Sequence, residues 1–262
     1  MTTLEDDFTY VLRKALTGNG LTPAEAADRA GVPDHDARAL LAGTFSPDTA
    51  RKFARVLGLK EEAFARHAHY LPEPPEVSGI VRLDLPMGGE QVNAWLVSED
   101  GSCALFDAGY EARDLMEAIR SHRRRLPDRA FITHAHRDHT GALQQLLANG
   151  MPIHGTDIAG TIPIRPGDTV TCGPLTIRAC DLSGHATPAL GFHIGGLSRP
   201  VLVTGDALFA GSMGGCATPA IYQHALRRLR EVLGPLPDDT VLLPGHGPAS
   251  TLGQERLANP FL

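Results

Sequence analysis

Residues 133–141, THAHRDHTG, place four potential metal ligands within six positions of one another. Three are histidines and one is an aspartate, namely His134, His136, Asp138 and His139. Imidazole suits zinc, iron and similar cations, and a carboxylate adds charge and can bridge two ions. Four unpartnered polar groups beside an apolar strand have no structural benefit of their own. The stretch therefore predicts a metal site.

Side chains of the same kind follow other predicted strands. Apolar runs lead to Asp107, His185, Asp206 and His246, three of them directly after a glycine. Because strand ends on one side of a sheet converge in space, we expect these side chains to meet the THAHRDHTG segment. One tetrahedral ion cannot take so many ligands, so the set predicts two metal ions lying close together.

The chain of 262 residues changes character at the proline-rich stretch YLPEPPEVSG, residues 70–79. Five helical segments precede it, with start signals at Thr22-Pro23 and Ser46-Pro47 and glycines at the expected helix ends. Short apolar strands follow, alternating with helical stretches over 111–122, 140–150 and 219–233. We therefore predict an α/β fold, with a helical domain and linker over 1–75 and a catalytic domain over 76–262. The strands are predicted within 79–85, 93–98, 103–109, 129–135, 152–156, 175–182, 191–196, 200–206 and 240–247.

Composition narrows the class of protein. A formal charge of −6 gives no general attraction to polyanions. The four cysteines form no CxxC pair, which predicts reduced, buried thiols. The acidic start MTTLEDDF and the lack of an apolar run near ~18 residues predict a soluble cytoplasmic protein with no membrane segment.

Seven of the twelve histidines lie outside the predicted site. Those in helical stretches are expected at the surface, and the two in strand-like segments are expected in the core or at a sheet edge. The first group is His35, His67, His69, His122 and His224, and the second is His154 and His193.

Together with SGH at 183–185, TGD at 204–206 and PGH at 244–246, THAHRDH resembles the metallo-β-lactamase fold hydrolases over roughly residues 78–262. The segments TGDALFAGS and PGHGPASTLGQERLANPFL look like the hydroxyacylglutathione hydrolase (glyoxalase II) branch. The resemblance implies an αββα sandwich holding two divalent ions, zinc or alternatively iron or manganese. By position, it implies one ion on His134, His136 and His185, a second on Asp138, His139 and His246, Asp206 as the bridge, and Asp107 supporting the site.

This resemblance implies that a hydroxide shared by the ions attacks a thioester or related ester of a small molecule, with Asp138 and Asp206 as catalytic carboxylates. After TGDALFAG the chain reads SMGGCATPA, without the basic residue and tyrosine that the family uses to grip glutathione. A glutathione thioester therefore becomes a weaker expectation. Phe209, Ser212 and Met213 are predicted to form a substrate pocket wall.

Individual positions in the sequence bear on whether the chain catalyses another reaction known for this fold. A persulfide dioxygenase, using one iron on His134, His185 and Asp206, stays open as the alternative. Asp206 stands where class B β-lactamases often carry a cysteine, and His136 where flavodiiron oxidoreductases carry a glutamate, which argues against both activities. The stretch AGSMG lacks the first glycine of a nucleophile elbow, which excludes a serine hydrolase. A nuclease is disfavoured because the domain lacks a basic stripe.

Residues 21–59, LTPAEAADRAGVPDHDARALLAGTFSPDTARKFARVLGL, resemble the helix-turn-helix of phage-repressor-like proteins. The recognition helix would face the phosphates of DNA with Asp34 and Asp36, and Arg38 would be its only cationic residue. Residues 1–70 hold nine lysines and arginines against ten aspartates and glutamates, which is unfavourable for binding nucleic acid. We therefore favour a helical bundle that covers the metal cleft or forms a homodimer. A transcription regulator with a ligand-sensing metal domain is the alternative.

Overall fold

Helices form the first part of the chain in the computed structural model, which describes residues 3–262 and leaves residues 1 and 2 of the predicted helical domain outside. A short 3-10 helix, His67–His69, follows the fifth α-helix. The α-helices are α1 (Phe8–Asn19), α2 (Pro23–Ala30), α3 (Asp34–Leu41), α4 (Pro47–Leu57) and α5 (Glu61–Arg66).

The boundaries of these helices follow from local chemistry. Thr22 accepts a hydrogen bond from the backbone of Glu25, whose side chain in turn accepts from the Thr22 backbone, so a capping box starts α2. Ser46 is the N-cap of α4 and directly precedes Pro47, as Thr22 precedes Pro23 in α2. Gly31 ends α2 with φ +59°, a left-handed conformation that glycine adopts without a Cβ clash.

Strands and further helices make up the rest of the chain. The helices are α6 (Ala112–His122), α7 (Arg137–Thr140), α8 (Leu143–Ala148), α9 (Pro219–Leu233) and α10 (Leu252–Ala258). The strands are β1 (Ile80–Met87), β2 (Glu90–Glu99), β3 (Ser102–Phe106), β4 (Arg129–Phe131), β5 (Ile153–Gly155), β6 (Ile162–Pro163), β7 (Thr169–Cys172), β8 (Leu175–Asp181), β9 (Leu190–Gly195), β10 (Val201–Gly205), β11 (Val241–Pro244) and β12 (Ser250–Thr251).

Within residues 3–262 the strands form two six-stranded sheets. The first has the order β1-β2-β3-β4-β5-β6, antiparallel from β1 to β3 and parallel from β3 to β6. The second has the order β12-β11-β10-β9-β8-β7, with one parallel pair, β10 and β11, among antiparallel neighbours. The predicted α/β class with an αββα sandwich is thereby confirmed.

Three apolar clusters hold the layers together. Trp95, Phe106, Phe131 and Phe192 fill the space between the two sheets. A second cluster joins the first sheet to α6 and α8, and a third joins the second sheet to α9, α10 and the N-terminal helices. Such burial supplies the main favourable free energy of folding. The N-terminal helices thus share a core with the sheet that carries Asp206.

One contact between these two parts lies where α1 packs against α9. A Cβ atom on Gly18 would lie 2.4 Å from the ring of Tyr222, which is buried. Real Cβ atoms essentially never come so close to a neighbour, so glycine is required for this crossing.

We expect Gly18→Ala to lower the free energy of unfolding by about 1–3 kcal/mol, because the buried ring must move to make room. Thermal unfolding measures the change. The neighbouring Thr17 provides a control, since Thr17→Ala changes α1 at a position exposed to solvent. Equal melting temperatures for the two variants would contradict the packing described here.

Several predicted details differ in the structure. The segment 140–150 is not one helix, because α7 and α8 are separated at Gly141 and Ala142. Strands β6, β7 and β12 and helix α10 had not been predicted.

His67 was wrongly expected at the surface and is buried. Three cysteines are buried and Cys180 is half-buried, all as free thiols. In the described part of the chain, no helix is long and apolar enough to cross a bilayer.

Candidate metal centre

Loops at the ends of four strands carry the predicted ligands into one place. His134 follows β4, His136 precedes α7, and Asp138 and His139 lie in the first turn of α7. The remaining ligands follow β8, β10 and β11. They are His185, Asp206 and His246.

One group of potential ligand atoms comprises His134, His136, His185 and Asp206, all within 4.8 Å of one another. Nδ1 of His136 lies 3.0 Å from Nε2 of His134 and 3.2 Å from Nε2 of His185. Oδ2 of Asp206 is 3.9 Å from the first of these Nε2 atoms and 3.6 Å from the second.

The second group comprises Asp138, His139, Asp206 and His246, within the same 4.8 Å limit. Nε2 of His246 lies 3.2 Å from Oδ2 of Asp138 and 3.5 Å from Oδ2 of Asp206. Nε2 of His139 lies 3.3 Å from Oδ1 of Asp206. Asp206 therefore belongs to both groups, and its two oxygens face different histidines.

The outer nitrogen of four histidine rings is held by an acceptor. Nδ1 of His134 donates to Thr133 Oγ1 at 2.9 Å and Nδ1 of His139 to Asp107 Oδ2 at 2.8 Å. Nδ1 of His185 and Nδ1 of His246 donate to the backbone oxygens of Gly215 and Gln91, at 3.0 and 2.8 Å. A neutral imidazole with its proton on Nδ1 presents a lone pair at Nε2. In the neutral form that metal binding requires, these four rings would each direct an Nε2 lone pair into the cluster.

These inward atoms fit a cation. Nδ1 of His136 lies 3.0–3.2 Å from two of these Nε2 atoms, close to the spacing of ligands around a single ion. Ligands at about 2.05 Å from a tetrahedral zinc ion are themselves only about 3.3 Å apart. Buried Nε2 of His139 and Oδ1 of Asp206 have no hydrogen-bond partner, which is costly for buried polar atoms. Metal ions would satisfy both.

Charge at the cluster also favours a cation. Burial alone would raise the pKa of Asp206, yet the nearby His139 and His246 hold it well below its ordinary value. Burial and the positive charge of His139 lower the pKa of His134 to about 3. Burial opposes the charged form of His246, but Asp138 and Asp206 outweigh it and raise its pKa to about 10. The carboxylates thus stay ionised and attract positive charge.

Glycines leave room for the cluster at two positions. A Cβ on Gly245 would lie 2.1 Å from Oδ1 of Asp206 and 2.7 Å from Cε1 of His139. A Cβ on Gly214 would lie 2.0 Å from the backbone oxygen of Asp206 and 2.7 Å from Cβ of His185. Any larger residue would have to displace a potential ligand.

Asp107 supports the cluster from behind. It directly follows β3 with a left-handed φ of +62°, an uncommon conformation for a residue other than glycine. Its Oδ1 accepts from the Thr133 backbone at 2.8 Å, and its Oδ2 accepts from Thr133 Oγ1 at 2.9 Å as well as from His139. Thr133 was not among the predicted site residues, although its position beside His134 at a strand end was an available signal.

We expect Asp107→Asn to weaken metal binding by about 10- to 100-fold. An asparagine that keeps its oxygen toward the Thr133 backbone turns an NH2 group toward His139 Nδ1. That ring must then move its proton to Nε2 and loses its inward lone pair. Competition with a chelator measures the affinity. Asp239→Asn, on the surface, is the matched control, and unchanged affinity in Asp107→Asn would refute the orienting role.

The three predicted pocket residues have different surroundings. The ring of Phe209 lies edge-on to that of His246, with centroids 5.8 Å apart. Ser212 and Met213 are buried. Ser212 Oγ donates to Asp6, and Met213 packs in the cluster under α9. His154 is buried against Phe131, away from the metal cluster.

Comparison with known proteins gives the family. The model of the metallo-beta-lactamase superfamily matches residues 87–156. Hydroxyacylglutathione hydrolase GloC of Haemophilus influenzae is 31% identical over 208 residues, covering 68% of this chain and 96% of the relative. The chain belongs to the metallo-beta-lactamase superfamily. It is a superfamily hydrolase by homology, with a candidate His/Asp metal cluster.

Two solved structures extend the superfamily comparison. TTHA1623 in a di-iron-bound form is 28% identical, with a TM-score of 0.56, covering 68% of this chain and 99% of that protein. BLEG-1 B3 metallo-beta-lactamase is 25% identical at the same TM-score, covering 70% of this chain and 99% of that protein. Both likenesses leave about 30% of this chain uncovered.

Proposed function

We propose that this superfamily member is a hydrolase with two metal ions that cleaves a thioester or a related ester. The observation that carries the proposal is the shared carboxylate of Asp206 between two sets of inward nitrogens. A shared carboxylate is suited to two ions a few ångströms apart. The similarity of this chain to a hydroxyacylglutathione hydrolase supports the proposed substrate class.

Each side chain then has a defined task. His134, His136 and His185 would hold one ion, Asp138, His139 and His246 would hold the other, and Asp206 would bridge them. When bound, two such ions lower the pKa of a shared water to about 7, polarise a carbonyl oxygen and stabilise a leaving thiolate or alkoxide. Zinc fits this donor set, and iron is the alternative that the di-iron relative suggests.

The chain's own residues set the approach of the substrate. His136 is exposed and His185 half-buried, whereas His134, His139 and His246 are buried, so the cluster opens on one side. A polar cavity of about 410 Å³ lies on the outer side of His246, beside Gln91, and none of the seven potential ligands lines it. Its lining includes Glu5, Arg82, Glu90, Gln91 and Gly247. Asp138 and Asp206 would accept hydrogen bonds from the attacking water and orient its lone pair.

The N-terminal helices are proposed to serve the metal unit rather than to bind DNA. Arg38 pairs with Asp34, Arg51 with Asp48 and Glu62, and Arg55 with Glu61. Binding to DNA phosphates needs several basic side chains that are free to replace the counterions of the DNA. A gel shift with the chain's own upstream DNA at moderate salt checks this, and sequence-specific retention would contradict a purely structural role. Whether residues 1–75 fold as a separate domain stays a prediction.

Substrate assays on the metal-loaded chain test the proposed activity. Hydrolysis of acyl thioesters should exceed that of a β-lactam, stop after removal of metal with a chelator and return when metal is restored. Oxygen uptake in the presence of a persulfide, by a chain that contains one iron ion, would instead establish the dioxygenase alternative. Faster cleavage of the β-lactam would move this chain toward the activity named for its BLEG-1 relative.

A further inference from the structure

The segment 207–216, called here the 207–216 loop, links the metal cluster to the rest of the chain. It begins next to Asp206 and ends near Gly215, whose oxygen accepts from His185 Nδ1 at 3.0 Å. Phe209 in the same loop packs against His246. The loop therefore contacts three of the seven potential ligands, and its conformation determines where the His185 ring points.

The opposite side of the loop is anchored to the N-terminal region. His67 Nε2 donates to the Gly211 oxygen at 2.9 Å, and Ser212 Oγ donates to Asp6 Oδ2 at 2.5 Å. Asp6 also forms an ion pair with Lys14 of α1. His67, Ser212 and Asp6 are all buried, so water does not compete for these bonds.

Helix α10 completes the anchor. The Gly211 backbone N–H donates to Glu255 Oε2 at 2.8 Å, and Tyr70 donates to the other oxygen of that carboxylate at 2.7 Å. Asn259 Nδ2 donates to the backbone oxygens of Phe209 and Ser212. The peptide groups around Gly211 are thus held on both faces.

Such anchoring is needed because the loop is rich in glycine. Gly211, Gly214 and Gly215 lie within five residues, and Gly211 has a φ of +72°. Glycines lose the most conformational freedom on folding, so a loop of this composition is ordered only by strong external contacts. His67 makes its contact although its buried Nδ1 has no partner, which is a cost for a residue that serves packing alone.

We propose that His67 is a positioning residue of the metal cluster, holding the 207–216 loop so that the Gly215 oxygen orients His185. The inference rests on the proposed metal site and assigns the N-terminal region a part in building it. His67 touches none of the potential ligands itself. Its effect passes through Gly211 and the loop backbone.

The variant His67→Phe tests this proposal, because it keeps a ring in the site and removes the donor. We expect one of two ions to bind about 10-fold more weakly, an effect of the size seen for residues that orient ligands. The visible absorption of the cobalt-substituted chain should change as well. His67→Gln, whose Nε2 can donate from a similar place, should restore both properties, and His35→Phe, on the exposed face of α3, should change neither.

A folded His67→Phe chain with wild-type affinity for both ions and an unchanged cobalt spectrum would overturn the proposal. If that variant does not fold, Ser212→Ala removes the parallel bond to Asp6 and must show the same weakening. A wild-type chain that binds no ion overturns both the proposed function and this inference. A chain that binds ions but cleaves no thioester overturns only the activity, and the ratio of affinities still decides the role of His67.

Discussion

The variant Asp206→Ala is expected to abolish metal-dependent hydrolysis and to release both ions. Asp206 contributes to both groups of potential ligands, and its oxygens lie 3.3–3.9 Å from the Nε2 atoms of four histidines. Without the carboxylate, each ion loses a ligand together with the negative charge that balances it. Replacing a residue that only orients a metal ligand lowers metal affinity or activity by about 10- to 100-fold. Removal of a shared ligand should therefore lower the hydrolysis rate by more than about 100-fold.

Metal content per chain and the hydrolysis rate check this expectation together. Asp239→Ala removes an exposed aspartate in the turn before β11 and should leave both unchanged. An Asp206→Ala chain that turns over like wild type, or that keeps two ions, would show that Asp206 does not bridge.

A second large effect is expected from one added methyl group, in Gly245→Ala. The new Cβ would lie 2.1 Å from Asp206 Oδ1, so the Asp206 carboxylate or the strand end must move. A displacement near 1 Å at a reacting centre can cost about 100-fold in rate. We therefore expect a loss of at least that size, with weakened metal binding.

Gly215→Ala is the matched control for Gly245→Ala. Its Cβ would meet only Lys14 carbons at 3.9 Å, an ordinary contact, and the Gly215 oxygen would remain available to His185. Metal affinity measured on the two variants separates local crowding from a general effect of replacing glycine. Full activity in Gly245→Ala would mean that the cluster has more space than the structure shows.

Much of the cluster could be predicted because strand-end ligands depend on local patterns. Apolar runs ending in Asp107, Asp206 and His246 indicate strands, and strand ends converge for reasons of topology. The structure brings all seven predicted ligands into one place. Helix starts at Thr22 and Ser46 were equally recognisable, since capping depends on neighbours in sequence.

Other features depend on contacts between distant residues. The sequence around His67 is that of an exposed helix end, and only packing against Gly211, 144 positions away, explains its burial. The oxygens of Gln91 and Gly215, which orient His246 and His185, are backbone atoms that no residue type reveals. The burial of Ser212 follows from the N-terminal segment lying over it.

Short elements were missed for a different reason. Strands β6 and β12 have two residues each, too few to show an alternating pattern. Helix α10 begins with a capping box between Thr251 and Gln254 that could have been recognised.

We propose that this superfamily member works with two ions bridged by Asp206. An apo chain titrated with zinc or iron, with the hydrolysis rate measured at each metal content, shows how many ions the reaction needs. Thioester hydrolysis should reach its maximum at two ions per chain. Full activity at one ion per chain would contradict it.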